Sequence, residues 1–284
     1  MAVVLDGVAY GLQLALLAVG LTMIYGLGGV LNLAHGQFAV VTAIATAVLM
    51  DRGLPTLPAV TLGVLLAAAL ALAIDASIMR PVYRLRGEQR VLLSLLLTIG
   101  VAFVIDGLLI SSFPFTALNL NVSGPAVDLL GVPMRRGSLA ASLLALVALA
   151  LLIVFLRYTR RGKAVRSIIE DEEGAQLCGI NPARVRTAVF GLSGVLAGVA
   201  ALGEGMASSL SATDGLNLTI LALIVTVVGG LGSVSGALLA GLLLGVVYSL
   251  ATFYIGAYVT FIILLLAAML TILVRPAGLM GRGA

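Results

Sequence analysis

Few residues in this chain could do chemistry, and the most prominent of them form one polar cluster. Asn32, His35, Gly36 and Gln37 follow a glycine-rich stretch that begins at Gly26. The flanking segments are apolar, and a polar side chain in such surroundings is costly unless it lines a cavity or contacts a partner. We therefore interpret the cluster as part of a substrate pathway.

His35 is the only histidine in the chain, so it cannot belong to a multi-histidine metal site. For this residue the preferred interpretation is a hydrogen bond that fixes the local turn. Direct contact with substrate is the alternative. The sequence predicts no metal site and no catalytic residue.

A second glycine-rich interruption contains Gly229, Gly230, Ser233 and Ser235. Paired breaks of this kind indicate a transport pathway, because unwound backbone at membrane depth is tolerated only where protein or water satisfies it. The alternative is that small residues simply let helices pack closely. The pattern leaves both interpretations open for this second stretch.

Isolated acidic residues are the remaining candidates. Asp106 lies deepest within an apolar segment, whereas Asp75 and Glu204 lie near segment ends. Acids at such positions usually face a cavity or a partner group. Asp106 is therefore a candidate for the substrate pathway, with a buried ion pair or a helix-interface hydrogen bond as the alternative.

The elements that must position these residues are membrane-spanning helices. Of the 284 residues, 61% are hydrophobic and 10% are charged, against about 25% charged in soluble domains. The apolar runs exceed the roughly 18 residues that distinguish a membrane span from a core helix. They lack the alternation of barrel strands. The sequence predicts an all-α, polytopic transmembrane bundle that forms a single domain over residues 1–284.

About eight to nine spans are expected, with the glycine-rich segments discontinuous or re-entrant. The predicted spans are 7–26, 30–50, 57–79, 91–113, 138–157, 185–206, 217–229, 236–253 and 257–274. Basic residues concentrate at 80–90, at 157–186 and in the tail at Arg275 and Arg282. Because basic loops stay in the cytoplasm, the N-terminus is predicted outside and the C-terminus inside. The same rule accounts for the pI near 9.6, so nucleic-acid binding is not needed to explain the basic residues.

The longest charged segment, 157–184, is predicted to lie in the cytoplasm. Lys163 to Cys178 is expected to form one short amphipathic helix, which ends at Gly179. Its predicted apolar face is formed by Val165, Ile168, Ile169 and Leu177. Asn181 and Pro182 are typical of the start of the next helix. Such a helix could transmit force from a docked partner; the alternative is a solvated loop whose charges only fix topology.

Four segments together resemble a known family: NLAHGQ at 32–37, EDEEGAQLCGINP at 170–182, VGGLGSVSGA at 228–237 and RPAGLMG at 275–281. In this order they are similar to the motifs of the branched-chain amino-acid-type ABC permeases, in particular the LivH-like half. One departure is Gly174, which weakens a helix at that position by about 1 kcal/mol relative to Ala.

The resemblance implies an importer of the inner membrane that moves a small polar solute. Expected partners are a second permease subunit, two cytoplasmic ABC ATPases and an external solute-binding protein, besides membrane lipid. The solute would be a branched-chain or other amino acid, urea, a short amide or an aromatic acid. The segment that resembles the family's ATPase-coupling region contains Glu170, Asp171, Glu173, Gly174, Ala175, Leu177, Gly179 and Ile180.

The chain is expected to bind no cofactor. It contains no G-x-x-x-x-G-K-[ST] loop to hold nucleotide phosphates. ATP and Mg would therefore be used by the partner ATPases, and the chain itself would not be an enzyme.

Two other functions compete with this interpretation. A stand-alone secondary transporter or channel would suit the glycine breaks equally well. An intramembrane serine protease of the rhomboid type would use Ser193 within Gly-Leu-Ser-Gly, with His35 as its base. The order of His35 and Ser193 along the chain argues against the protease, and a Gly-Leu-Ser-Gly run is also ordinary helix packing.

Overall fold

Residues 2–120, 122, 127–129 and 132–281 are described in a computed structural model of the chain. The helices are α1 (Ala2–Gly28), α2 (His35–Asp51), α3 (Thr56–Ile74), α4 (Arg80–Val82), α5 (Gly87–Ser112), α6 (Arg136–Tyr158), α7 (Arg160–Glu170), α8 (Glu172–Leu177), α9 (Pro182–Ala207), α10 (Gly215–Gly229), α11 (Val234–Tyr254) and α12 (Ala257–Val274). A π-helical segment, Asp75–Met79, joins α3 to α4. The predicted all-α membrane-type bundle is confirmed.

Within the described residues four very short strands supplement the helices. β1 (Ala117–Leu118) pairs antiparallel with β4 (Leu210–Ser211), and β2 (Val127–Leu129) pairs with β3 (Val132–Met134). The backbone N–H of Leu120 donates to the carbonyl of Gly205 at 2.7 Å, which ties the loop after α5 to the end of α9. These strands were not predicted, because two or three residues are too few for a periodic pattern.

The described residues contain seven helical stretches long and apolar enough to cross a membrane, and two shorter apolar helices, α2 and α10. The segment predicted as span 30–50 begins as a helix only at His35, so residues 29–34 are irregular. The total number of spans and the orientation of the termini remain predictions. Arg282, part of the basic tail used for that orientation, lies outside the described residues.

Helix α1 is the centre of the bundle. In the most apolar 18-residue stretch of α1, 83% of the residues are buried, against 22% in the corresponding stretch of α5 and 17% in that of α12. It packs against α6, α9, α10 and α11. The outer helices expose leucines instead, such as Leu96 of α5 and Leu273 of α12. Exposed apolar side chains on long helices suit a lipid or subunit contact.

Glycines bring α1 and α11 into backbone contact. A Cβ on Gly11 would lie 2.8 Å from the carbonyl oxygen of Gly241, and a Cβ on Gly241 would lie 2.6 Å from the Cβ of Ala15. A Cβ on Gly245 would collide with the backbone of Gly11. Without a hydrophobic force between helices in lipid, such close approach provides the packing energy.

The predicted single helix from Lys163 to Cys178 is wrong. The segment forms two helices, α7 and α8, separated at Asp171, whose φ of −155° and ψ of 105° are extended. Asp171 is the last donor of α7, to the carbonyl of Ser167 at 2.9 Å, and its own carbonyl accepts from the N–H of Ala175 at 3.0 Å in α8. The predicted weak point, Gly174, lies inside α8 instead.

The predicted helix end at Gly179 and the predicted helix start at Asn181 are confirmed. Gly179 has a φ of +81°, and the N–H of Ile180 donates to the carbonyl of Ala175 at 3.0 Å, as expected for a glycine-terminated helix. Asn181 caps α9 by accepting a hydrogen bond from the N–H of Arg184 at 3.3 Å.

We expect Gly241→Val to destabilise the bundle by about 1–3 kcal/mol, because the added methyls must push α11 away from α1. The midpoint of thermal aggregation of the detergent-solubilised chain measures the effect. Gly100→Val is the matched control, since a Cβ at Gly100 meets no atom of the described residues within 4 Å. Equal midpoints for the two variants would contradict the close α1–α11 contact.

Candidate functional site

Hydroxyl groups of α5 bind the backbone of the first glycine break, residues 29–34. The N–H of Leu31 donates to Ser94 Oγ at 3.1 Å, and the N–H of Leu33 donates to Thr98 Oγ1 at 2.9 Å. Asn32 Oδ1 accepts from the N–H of Ala34 at 3.0 Å, which bends the chain toward α2. Three N–H groups of the unwound segment 29–34 are therefore satisfied by side chains rather than by a helix.

Two arginines bind the carbonyl groups where α1 ends. Arg90 Nη1 donates to the carbonyl of Gly28 at 3.0 Å, and Arg186 Nε donates to the carbonyl of Leu27 at 2.9 Å. The last carbonyls of a helix have no intrahelical partner and carry partial negative charge, so cations stabilise them. The guanidinium of Arg186 also lies 5.0 Å from the ring centroid of Tyr83.

His35 lies at the start of α2, fully buried beside the middle of α1. Its Nε2 lies 3.0 Å from the carbonyl oxygen of Leu17, within hydrogen-bond distance, and its Nδ1 has no partner among the described residues. A Cβ on Gly20 would lie 2.9 Å from the imidazole. This contact joins the first residue of α2 to the middle of α1, and the turn-fixing role of His35 stays a prediction. Substrate contact by His35 remains a prediction.

The first turns of α2 and α10 meet in the interior. The N–H of Gly36 donates to Thr219 Oγ1 at 2.8 Å, and a Cβ on Gly36 would collide with the carbonyl of Gly215. Gln37 is fully buried against Gly215. Helix N-termini carry partial positive charge, and half-helices that begin inside a transporter direct this charge at anionic groups of substrates.

Gln37 and Asp106 form the polar part of this junction. Neither polar atom of the Gln37 amide has a hydrogen-bond partner of good geometry among the described residues, and the same holds for Asp106 Oδ1. Asp106 of α5 is close enough to Gln37 for an electrostatic contact. The sequence placed the two residues in separate segments; the fold brings them together.

The second break is capped locally. Ser233 Oγ accepts from the N–H of Gly236 at 3.1 Å and lies 3.4 Å from Ser235 Oγ. Ser233 is thus the N-cap of α11. A Cβ on Gly229 would lie 2.5 Å from the carbonyl carbon of Gly236, so the two ends of the break need small residues.

The C-terminal segment packs onto the same break. The N–H of Met280 donates to the carbonyl of Gly229 at 3.1 Å. Gly230 has a φ of +104°, and a Cβ there would lie 2.6 Å from the carbonyl oxygen of Ala277. The second break is therefore covered by residues 277–281, which sequence reasoning did not connect with it.

The two glycine breaks meet at one end of the bundle, which we call the break end. A Cβ on Gly26 would lie only 3.2 Å from the Cα of Gly232. A cavity of about 670 Å³ lies beside this contact. Its polar lining includes Tyr25, Arg157, Arg166, Glu170, Ser233 and Ser235. The cavity thus joins both breaks to α7.

A second cavity of about 390 Å³ lies at the opposite end, near the strands, which we call the strand end. It shares Tyr10, Gln13 and Glu204 with a pocket of about 20 Å³ that continues inward to Leu17. Between the two ends α1 packs closely against α10, where Thr226 Oγ1 donates to the carbonyl of Ala18 at 3.2 Å.

The residues predicted for ATPase coupling are mostly exposed. Glu170, Asp171, Glu173, Leu177 and Gly179 lie at the surface. Gly174 and Ile180 are half-buried, and Ala175 is buried. Leu177 was predicted on the apolar face with Val165 and Ile168, which are buried. That placement is wrong, because the break at Asp171 turns α8, and Leu177 is 90% exposed.

Sequence reasoning missed the link between this segment and the first break. Arg186 Nη2 lies 2.5 Å from Glu172 Oε2 while its Nε holds the carbonyl of Leu27. Arg186 was counted only as one charge of a basic cluster. The sequence did contain one signal for this link. Arg186 lies in the first turns of α9, after the Asn181 cap, and an arginine buried there needs partners.

Two acidic residues have structural contacts. Asp75 is buried and accepts from Thr187 Oγ1 at 2.5 Å, with Arg80 Nε at 3.7 Å. Glu204 Oε1 accepts from Ser208 Oγ at 2.5 Å. Asp75 therefore fixes α9 to the segment after α3.

The structure offers no support for a serine hydrolase. Ser193 Oγ donates to the carbonyl of Phe190 at 2.7 Å, and His35 Nε2 contacts the carbonyl of Leu17 at 3.0 Å. Neither side chain hydrogen-bonds to the other within the described residues, so the nucleophile–base contact is not formed there. Those residues also contain no cluster of three metal-binding side chains.

We expect the double variant Ser94→Ala, Thr98→Val to destabilise the chain by about 1–3 kcal/mol for each N–H left without a partner. Thermal aggregation of the detergent-solubilised protein measures this. Ser111→Ala is the control, since that hydroxyl of α5 is exposed and donates to the carbonyl of Leu108 in its own helix at 3.1 Å. A double variant as stable as the control would show that water replaces α5 at the break.

Comparison with known proteins places this architecture in a family. Residues 3–274 match the family described as "Branched-chain amino acid transport system / permease component". LivH of Salmonella typhimurium and LivH of Escherichia coli K12, both named high-affinity branched-chain amino acid transport system permease proteins, are each 30% identical over 98% of this chain and 94% of their own length.

A second permease relative and one solved structure complete the comparison. LivM of Escherichia coli K12, also named a permease protein of that system, is 28% identical over 81% of this chain and 59% of its own length. PsaBC from Streptococcus pneumoniae, solved in complex with Fab, is 12% identical and has a TM-score of 0.50 over 95% of this chain and 89% of that one. The latter likeness concerns the fold alone. With the family match and the LivH identity together, the chain belongs to the branched-chain amino acid transport system permease family.

Proposed function

We propose that this chain is a permease subunit of an ABC importer that moves a branched-chain or chemically similar amino acid across the inner membrane. The observation that carries the proposal is the meeting of both glycine breaks beside a cavity that α7 also lines. A pathway element and the segment that resembles the ATPase-coupling region are thus in one place. The names of the LivH and LivM relatives support the substrate class.

The proposed pathway follows α1. One cavity lies at the strand end, the other at the break end, and α1 contributes residues to both. The polar junction of Asn32, His35, Gly36, Gln37 and Asp106 lies beside the closed middle of the helix. The positive N-termini of α2 and α10 there suit the carboxylate of an amino acid. The closed state would open when α1 and α10 separate.

Coupling to ATP hydrolysis is proposed to pass through Arg186. An ATPase that docks on the exposed end of α8 would move Glu172. Arg186, which binds Glu172 through Nη2 and the carbonyl of Leu27 through Nε, would transmit the shift to α1. The two-state element is the first break, which is held by side chains rather than by its own helix. The cation–π contact with Tyr83 keeps the guanidinium in place.

The proposed importer needs several partner chains. Two ABC ATPases would bind ATP and Mg, a second permease subunit would complete the pathway, and an external binding protein would deliver the solute. The relatedness to both LivH and LivM fits pairing of two similar permeases. A stand-alone transporter or channel would need none of these chains, and it would move substrate without ATP.

Uptake decides between these functions. We expect the chain to take up labelled leucine in proteoliposomes only with its ATPase, paired permease and binding protein, and only with ATP and Mg. Leu177→Asp should weaken ATPase co-purification by about tenfold or more, because a 90% exposed leucine becomes part of the docking contact. Leu57→Asp, at a leucine 75% exposed on α3, is the matched control. Uptake by the lone chain without ATP would refute the importer.

Arg186→Gln should separate docking from transport. We expect unchanged ATPase co-purification but at least about a tenfold lower ratio of solute moved to ATP hydrolysed, because a charge-assisted bond is lost at both ends. Arg184→Gln is the control, since Arg184 lies two positions away and is exposed. If both variants transport with the same stoichiometry, coupling runs through another contact.

A further inference from the structure

We propose that the strand-end cavity is a recognition site for an α-amino acid, which it binds by its ammonium and carboxylate groups at separate places. The inference rests on the proposed function and names a site for its substrate outside the polar junction. At about 390 Å³ the cavity has room for a small amino acid.

The ammonium side is built from acceptors. Gln13 is 6% exposed, and its Nε2 donates to the carbonyl of Ala141 at 2.6 Å. This bond fixes the orientation of the amide and leaves Oε1 buried without a partner among the described residues. A buried acceptor in this state is costly unless a donor arrives. The carboxylate of Glu204 lines the same cavity.

The carboxylate side is built from donors. Arg135 and Ser138 line the cavity at the start of α6, and no side chain caps this helix. The first N–H groups of a helix bind carboxylates when they lack an internal partner. No ion pair joins Arg135 to Glu204 in the described part of the chain, so no such pair has to break when a ligand of both signs enters. Glu204 Oε1 accepts from Ser208 Oγ and can keep that bond.

The remaining walls combine one more carboxylate, the exposed Asp6, with aromatic surface. Tyr10 and Tyr248 stack with ring centroids 4.5 Å apart and provide apolar surface for a side chain. The inward continuation, about 20 Å³, accepts only a water-sized group. A bound amino acid would therefore wait at this cavity until α1 and its neighbours separate.

Binding of three probes to the full chain in lipid nanodiscs tests the proposal. Saturation-transfer NMR should detect L-leucine, and should detect 4-methylpentanoate and 3-methylbutylamine at least about tenfold more weakly, since each lacks one charged group. Glu204→Gln should weaken leucine and the amine, and Arg135→Gln should weaken leucine and the acid. Asp51→Asn, an exposed acid outside the cavity lining, is the control and should bind as the unaltered chain does.

Three results would overturn the site: no leucine binding to the unaltered chain, equal binding by all variants, or an amine that binds as tightly as leucine. Arg135 is exposed, so its variant still tests the site if Glu204→Gln misfolds. ATP-driven uptake keeps the two proposals separate. Uptake with an unchanged KM in both variants rejects the site alone, whereas variant-sensitive binding without ATP-driven uptake rejects the importer alone.

Discussion

In an apolar interior every peptide group that leaves a helix needs another hydrogen-bond partner, and at residues 29–34 that partner is α5. Ser94 and Thr98 accept from the backbone N–H groups of Leu31 and Leu33. Because these bonds replace helical ones, α1 can end at Gly28 and α2 can begin at His35 beside the middle of α1. The buried junction of α2 with α10 depends on α2 beginning at this depth.

Close packing around α1 determines where space remains. Glycines let α11 approach α1 along its first half, and Thr226 of α10 binds the carbonyl of Ala18. The two larger cavities consequently lie at the two ends of α1. In the proposed importer a substrate would pass from one to the other through a rearrangement of α1 and α10, and the side-chain-held break that follows α1 is the segment suited to move.

Arg186 connects the surface segment with this break. Its guanidinium holds Glu172 of α8 on one side and the carbonyl of Leu27 on the other, over the ring of Tyr83. A planar guanidinium presents its donors in a fixed fork and so binds both ends in set directions, whereas the ammonium of a lysine has no such fork. The separation of α7 from α8 at Asp171 leaves α8 attached to α9 and free to carry Leu177 outward.

Hydropathy, the two glycine stretches and the helix caps were enough to predict an all-α membrane-type bundle, the irregular backbone near 29–34, the end of α8 at Gly179 and the start of α9 at Asn181. These features depend on neighbours along the chain, so composition and spacing carry them. Four ordered motifs were likewise enough for the family. The contact of Gln37 with Asp106, the meeting of Gly26 with Gly232, the C-terminal cover over Gly230 and the partners of Arg186 were decided only by the tertiary structure. Each joins segments far apart in sequence, and no local pattern specifies which of several buried polar or glycine positions will face one another once the helices pack.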